Sequence, residues 1–79
     1  MFPFSIATVD KILFEGEVAS VTAPGASGEL TILANHMPII TTLKEGKVIV
    51  RIGSDKKEQE FEVSGGLLEA SSNRATILV

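Results

Sequence analysis

The sequence predicts an all-β domain, built as a sandwich or a barrel of short strands. Apolar residues alternate with polar ones at a period of two along most of the chain. β-Branched residues, which suit a half-buried pleated surface, are abundant. Turn signals recur about every eight to twelve residues, as they do in sandwiches and barrels. No window offers a helix cap followed by a long run of helical period.

The first half of the chain contains four predicted strands. The alternation within Phe2–Ile6 supports the first strand. The Gly- and Pro-rich segment 23–28 predicts a loop between the second strand and the third. Asn35 and Pro38 bracket a turn before the fourth, because Asn tolerates turn geometry and Pro disfavours helix in the residue before it. These strands are expected near residues 3–9, 12–23, 29–33 and 38–43.

The second half contains four more predicted strands. Segment 44–46 indicates a short hairpin connection, and segment 53–57 indicates a hairpin loop between two alternating strands. Gly65–Gly66 interrupts an apolar run, which predicts a bulge or a sharp bend. Segment 71–73 predicts the turn before the final strand. These strands are expected near residues 47–53, 57–64, 66–70 and 74–79.

Composition limits the function classes that the chain can serve. Its 79 residues make one domain. The net charge is -3, with seven basic and ten acidic residues. This balance argues against a nucleic-acid partner, which requires a clustered basic face. The absence of cysteine excludes disulfides and zinc sites of the Cys type. No apolar run approaches the ~18 residues of a membrane-spanning helix, so no inserted segment is expected.

The candidate catalytic and ligand-binding motifs are incomplete. His36 is the single histidine, and Glu29 is the only acid near it in sequence, which is too few ligands for a metal site. Segment 54–57 matches Ser-x-x-Lys without the other motifs of penicillin-binding enzymes. Segment 24–28 lacks the lysine of a phosphate-binding loop and precedes a strand. We therefore predict no catalytic residue, no metal and no cofactor.

Three motifs occur in one order and spacing along the chain: Phe14–Val18, Gly28–Pro38 and Val63–Glu69. They resemble Phe-x-Gly-x-Val, Gly-Glu-Leu/Ile-Gly-Ile/Val with a following His-Ala-Pro, and Ser-Gly-Gly-hydrophobic-hydrophobic-Glu. This series is similar to that of the epsilon subunit family of rotary proton-translocating ATP synthases, called delta in mitochondria. The chain departs from the pattern at Thr31 and Asn35, where the family usually or often has Gly. The resemblance implies a flattened antiparallel β-sandwich of two sheets, with about eight to ten short strands.

The resemblance also implies a function. A subunit of this family belongs to the rotor, or central stalk, and carries proton-driven rotation of the c-ring through the gamma subunit to the catalytic head. It implies contact with the polar loops of the c-ring by Glu29, Asn35 and His36. It further implies that the gamma subunit is contacted by five apolar residues: Leu13, Phe14, Met37, Pro38 and Ile40.

From the residues alone, purely structural interpretations of these contact residues stay open. Glu29 is equally a solvated acid at the start of a strand, and His36 is equally a turn histidine with a hydrogen-bonded ring. The five apolar residues form either plain core, which is favoured for Phe14, or an exposed patch for a permanent partner. The acidic residues at 58, 60 and 62 share one strand face, and we expect that face to be solvated.

In the resembled family the chain continues into a two-helix C-terminal domain. We therefore expect an N-terminal β-sandwich fragment spanning 1–79, with a naturally short subunit as the alternative. Contact with the catalytic alpha/beta head and inhibition of ATP hydrolysis belong to those helices in the family. The implied location is peripheral, on the cytoplasmic face of a bacterial inner membrane, with the thylakoid and the mitochondrial inner membrane as alternatives. A second hypothesis is a free-standing β-sandwich module that binds a peptide or small ligand in a concave pocket.

Overall fold

The computed structural model describes residues 1–35, 37–53 and 57–79, and the regular secondary structure of this part consists of strands. The all-β prediction is therefore confirmed. No helix in the described ranges has the length and apolar character needed to cross a membrane. The strands are β1 (Phe2–Ala7), β2 (Ile12–Val18), β3 (Ser20–Gly25), β4 (Gly28–Leu33), β5 (Ile39–Leu43), β6 (Gly46–Ile52), β7 (Lys57–Val63), β8 (Gly66–Ser71) and β9 (Arg74–Leu78).

The strands form a curled sheet whose two parts pack against each other. Sheet I contains β2, β1, β9, β8 and β5 in that spatial order, and sheet II contains β4, β3, β6 and β7. The two sheets meet at one corner, where Gly25 at the end of β3 pairs with Leu43 at the end of β5. The pairing is antiparallel, as the sequence resemblance implied, except that β1 and β9 run parallel.

Alternate residues of the strands fill a common interior, as the period of two predicts. The edge strands β2 and β7 close one side of the sandwich through aromatic contacts. The ring centroid of Phe14 lies 6.2 Å from that of Phe4 and 6.1 Å from that of Phe61. The buried apolar core comprises Phe2, Phe4, Ile6, Val18, Val21, Ala23, Ile32, Leu43, Val48, Val50, Val63, Leu68, Ala70, Ala75 and Ile77.

The segment predicted as one strand over residues 12–23 is two strands that belong to different sheets. β2 ends at Val18 and pairs with β1, whereas β3 begins at Ser20 and pairs with β4 and β6. Ala19 lies at the crossing, and its N–H donates to the carbonyl oxygen of Arg51 at 2.8 Å. An uninterrupted β-forming sequence carries no signal for this change of sheet.

The segment predicted as a loop over residues 23–28 is mostly strand. β3 continues through Pro24, and β4 begins at Gly28, so that the turn consists of residues 26–27. The carbonyl oxygen of Pro24 points away from β4 and accepts from the Lys44 N–H at 2.9 Å. The ring nitrogen points to the same side, so the proline removes no hydrogen bond between β3 and β4. Gly25 allows the tight turn, because a Cβ there would lie 2.6 Å from the carbonyl oxygen of Gly28.

Two other connections also pass between the sheets. Segment 44–46 is not the predicted hairpin, because β5 belongs to sheet I and β6 to sheet II. The sharp bend predicted at Gly65–Gly66 is confirmed, since both residues have strongly positive φ angles, 148° and 147°. It takes the chain from β7 back to sheet I. β6 and β7 form the predicted hairpin, although residues 54–56 of its loop lie outside the described residues.

Candidate functional site

The outer face of sheet I carries a line of apolar side chains. Leu67 of β8 pairs with Leu78 of β9, Leu78 pairs with Ala7 of β1, and Ala7 pairs with Ile12 of β2. Residues paired across neighbouring strands project from the same face, so these four lie side by side over about 14 Å. Leu67, Leu78 and Ile12 are 42%, 48% and 59% exposed. We name these four residues the apolar row.

Sheet I extends this apolar character toward β5. Thr42 pairs with Leu67 and continues the row by one strand, and Ile40 pairs with Glu69 on the same outer face. Ile40 is 68% exposed. Beside it lies an open groove of about 550 Å³, whose lining includes Pro38 and Arg74. Exposed apolar side chains are therefore found on β2, β8 and β9 and, beside Glu69, on β5.

The outer face of sheet II has the opposite character. Lys47 and Arg51 of β6 stand beside the acidic residues of β7. The Lys47 Nζ lies 3.4 Å from Glu60 Oε1, and Arg51 Nε donates to Glu58 Oε2 at 2.8 Å. All four side chains are substantially exposed, as the sequence predicted for the acidic residues. We name these four residues the charged ladder.

The residues predicted to contact gamma lie at two opposite edges of sheet I. Leu13 is on β2, whereas Pro38 and Ile40 belong to the β5 side and Met37 precedes Pro38 in an exposed segment. Three strands separate β2 from β5, which corresponds to about 19 Å at the usual strand spacing. The sequence did not indicate what lies between them, which is the apolar row.

Phe14 and Leu13 differ sharply although they are neighbours on β2. Phe14 is half-buried, and its ring lies between the buried ring of Phe4 and the partly buried ring of Phe61, so it belongs to the inner face. Leu13 is exposed and is the extra residue of a bulge, because Ile6 pairs with Phe14 while Ala7 pairs with Ile12. Of the two, Leu13 is available to a partner on the outer face.

The residues predicted to contact the c-ring do not converge on one point. Glu29 is exposed near the start of β4, opposite Pro24. Asn35 is exposed in the turn after β4, with a φ of 61° that confirms the predicted turn geometry. The strand rise of ~3.3 Å per residue places about 13 Å between Glu29 and Leu33, and Asn35 lies two residues further on. His36 lies outside the described residues.

Sequence reasoning missed the apolar row, although a local signal exists. Leu67 and Leu68 are adjacent, and segment 77–79 is apolar throughout. Successive strand residues point to opposite faces, so an apolar pair must place one member outside when only one face is buried. Leu68 and Ile77 are buried, which leaves Leu67 and Leu78 outside.

In the described residues, no three His, Asp or Glu side chains gather as a metal site would require.

Comparison with known proteins identifies the family. Residues 1–79 match the model of the β-sandwich domain of the ATP synthase delta/epsilon chain. The chain belongs to this family. It is 44% identical over 77 residues to the ATP synthase epsilon chain of Chlorobium limicola, covering 98% of this chain and 86% of that one. It is 46% identical over 77 residues to the epsilon chain of Dichelobacter nodosus, covering 98% of this chain and 53% of that one.

Solved structures share the fold. A chain of the Euglena gracilis mitochondrial ATP synthase superimposes with a TM-score of 0.86 at 23% identity, over 96% of this chain and 48% of that one. A chain of the Tetrahymena thermophila mitochondrial ATP synthase central stalk and c-ring gives 0.78 at 20% identity, over 98% and 61%. This chain thus spans about half to three-fifths of those two chains. The resemblance deduced from the three sequence motifs is confirmed, and with it the prediction of an accessory, non-catalytic subunit.

Proposed function

We propose that this chain is a central-stalk rotor subunit of an ATP synthase, which couples c-ring rotation through the gamma subunit to ATP synthesis in the catalytic head. Membership of the delta/epsilon family supports the assignment of this chain to an ATP synthase complex. The observation that supports a docking role is the apolar row, since a small domain that leaves two leucines and an isoleucine side by side in solvent has a surface suited to a permanent partner.

In this proposal the gamma subunit packs on the outer face of sheet I. Leu67, Leu78 and Ile12 form the centre of the contact, where apolar side chains lose the most water. Leu13 would border it on the β2 side, and on the β5 side Met37, Pro38 and Ile40 would do so. Phe14 would act indirectly, because its packing against Phe4 and Phe61 fixes the position of β2.

The polar residues Glu29, Asn35 and His36 are proposed to contact the c-ring loops. A charged rim contact adds little affinity but fixes the orientation of two partners. The close-packed sandwich between this region and sheet I would then transmit torque with little deformation, because protein interiors have low compressibility. The subunit would be peripheral to the membrane, on the cytoplasmic face of a bacterial inner membrane, or at a thylakoid or mitochondrial inner membrane.

Reconstitution tests the proposal directly. The chain is added to membrane vesicles whose ATP synthase has been depleted of its epsilon subunit, and ATP-driven proton pumping is measured beside ATP hydrolysis. We expect the ratio of pumping to hydrolysis to rise while hydrolysis is not inhibited, because residues 1–79 are proposed to couple rotation only. A chain that fails to bind gamma, or that strongly inhibits hydrolysis, contradicts the proposal.

The groove beside Ile40 keeps a second function open. A free-standing module would use such a concave surface, with Glu69 and Arg74 as its polar groups, to bind a peptide or small ligand. The groove adjoins the apolar surface of sheet I, so one docked protein can cover both. A pull-down with purified gamma separates the two functions, because a free-standing module would not retain it.

A further inference from the structure

The charged residues on the strands of sheet I lie on its outer face and have no ion-pair partner within the chain. They are Glu15 and Glu17 on β2, Glu69 on β8 and Arg74 on β9, and all four are exposed. Within residues 1–35, 37–53 and 57–79, no ion pair involves any of them. The charged ladder of sheet II differs, because each of its cations is paired with a glutamate of the same chain. The charges of sheet I are therefore available to a docked partner.

Two of these carboxylates end a row that runs beside the apolar row. Glu15 pairs with Ser5, Ser5 pairs with Thr76, and Thr76 pairs with Glu69. We name these four residues the polar row. Its backbone lies one repeat of the strand pleat, about 7 Å, from that of the apolar row, and its two glutamates are three strand spacings apart, or about 14 Å. The outer face of sheet I is thus apolar along one line and acidic at both ends of the next.

Protection of a strand edge explains only part of this acidity. Glutamates on β2 guard that open edge against pairing with another chain. Glu69, however, is on β8, which has β5 on one side and β9 on the other, so it guards no edge. Arg74 can neutralise one carboxylate at most, because three glutamates and one arginine give the strands of this sheet a net charge of −2. The acidity at Glu69 therefore calls for another explanation.

We propose that the protein surface that docks on sheet I carries two basic side chains, placed to face Glu15 and Glu69, beside an apolar strip that covers the apolar row. This inference rests on the proposed function and specifies the chemistry of the gamma surface. A partner that covers the apolar row also removes water from the neighbouring polar row. A carboxylate that loses its water without gaining an opposite charge is costly, and a lysine or arginine facing it offsets that cost.

The two rows together fix the direction in which the partner lies. Apolar contacts are non-directional, so a strip of apolar side chains alone does not distinguish the two directions along the apolar row. The polar row lies on one flank of it only, since on the other flank β1 ends at Ala7 and β9 ends at Leu78. Charge complementarity on one flank selects one orientation and raises the association rate more than the affinity.

The kinetics of association with purified gamma test the inference. We expect the association rate constant of the wild-type chain to fall as salt is added, because opposite charges steer the two surfaces together. Removing both carboxylates, by Glu15→Gln with Glu69→Gln, should lower that rate constant about fivefold at low ionic strength and flatten its salt dependence. Both side chains are exposed, so the substitutions should leave the fold intact.

Glu60→Gln with Glu62→Gln on sheet II is the matched control. It removes the same charge from exposed positions, and the association rate constant should stay within about twofold of the wild-type value. An equal decrease in both double variants overturns the inference, because association would then depend on net charge alone. Tight binding with a rate constant that responds neither to salt nor to the loss of Glu15 and Glu69 also overturns it, while leaving the proposed function standing. A chain that does not bind gamma overturns both.

Discussion

The outer face of sheet I carries the apolar row, whereas the outer face of sheet II carries the charged ladder. The apolar row and the charged ladder both lie on outer faces, and both are built by residues paired across adjacent strands. The inner faces of the two sheets contribute to one core. The fold therefore requires only the inward positions to be apolar, and the outward positions are free to give each face its own role.

The difference has a physical consequence for association. Exposed apolar side chains favour burial against a partner by roughly 25 cal/mol per Å² of area removed from water. Exposed ion pairs contribute little and remain hydrated. Under the proposed function, sheet I is thus the face expected to dock a protein partner, and the charged ladder of sheet II is expected to stay in solvent.

Charging the apolar row should have the largest effect. We expect Leu78→Glu to weaken gamma binding about 100-fold, as for loss of a central contact residue, because it buries a carboxylate in an apolar interface. Isothermal titration with purified gamma measures this. Leu33→Glu is the matched control, since Leu33 is 57% exposed on the outer face of sheet II and should leave the affinity unchanged. An equal loss in both variants would contradict the assignment of sheet I as the docking face.

Substitutions at Phe14 and Leu13 should distinguish a residue that packs in the interior from one that is exposed. We expect Phe14→Ala to lower the free energy of unfolding by about 2–3 kcal/mol, less than for a fully buried phenylalanine, because it removes the ring between Phe4 and Phe61. Chemical denaturation measures the change. Leu13→Ala, one residue away and exposed, should cost well under half as much. If both changes cost the same, the division of β2 into an inner and an outer face is wrong.

Substitutions in the charged ladder should have the smallest effect on the free energy of unfolding and on gamma affinity. We expect Arg51→Gln to change the free energy of unfolding by less than about 0.5 kcal/mol, because its pair with Glu58 is exposed on both sides. Denaturation at low and high salt measures the change, which should shrink further as salt screens the charges. Gamma affinity should not respond. A loss of several-fold in that affinity would show that sheet II also takes part in docking.

The sequence predicted the strands better than their arrangement. Alternation located β6 and β7, and Gly65–Gly66 marked a real bend, because these signals are local. The change of sheet at Ala19 was missed, since β-forming residues continue across it. Pro24 indicated a loop, although its ring nitrogen points away from β4 and so removes no hydrogen bond between β3 and β4. A proline is disruptive only where its N–H would have been needed, and that depends on distant pairing.

The candidate surface was predicted at its margins and missed at its centre. The family resemblance indicated Leu13 and Ile40, which border the row on either side. Leu78 was not indicated, because it reaches Leu67 and Ala7 only through the pairing of β9 with β8 and with β1. That pairing joins strands from opposite ends of the sequence, and alternation within one strand cannot reveal it.

The position of β9 has a consequence for biosynthesis. This strand is inserted in the middle of sheet I, between β1 and β8, and it supplies the central leucine of the apolar row. A nascent polypeptide whose residues 74–78 are still inside the ribosome lacks β9, so its apolar row is interrupted. A partner that docks on this row would therefore bind only after β9 has joined sheet I, so that docking follows folding of the sandwich.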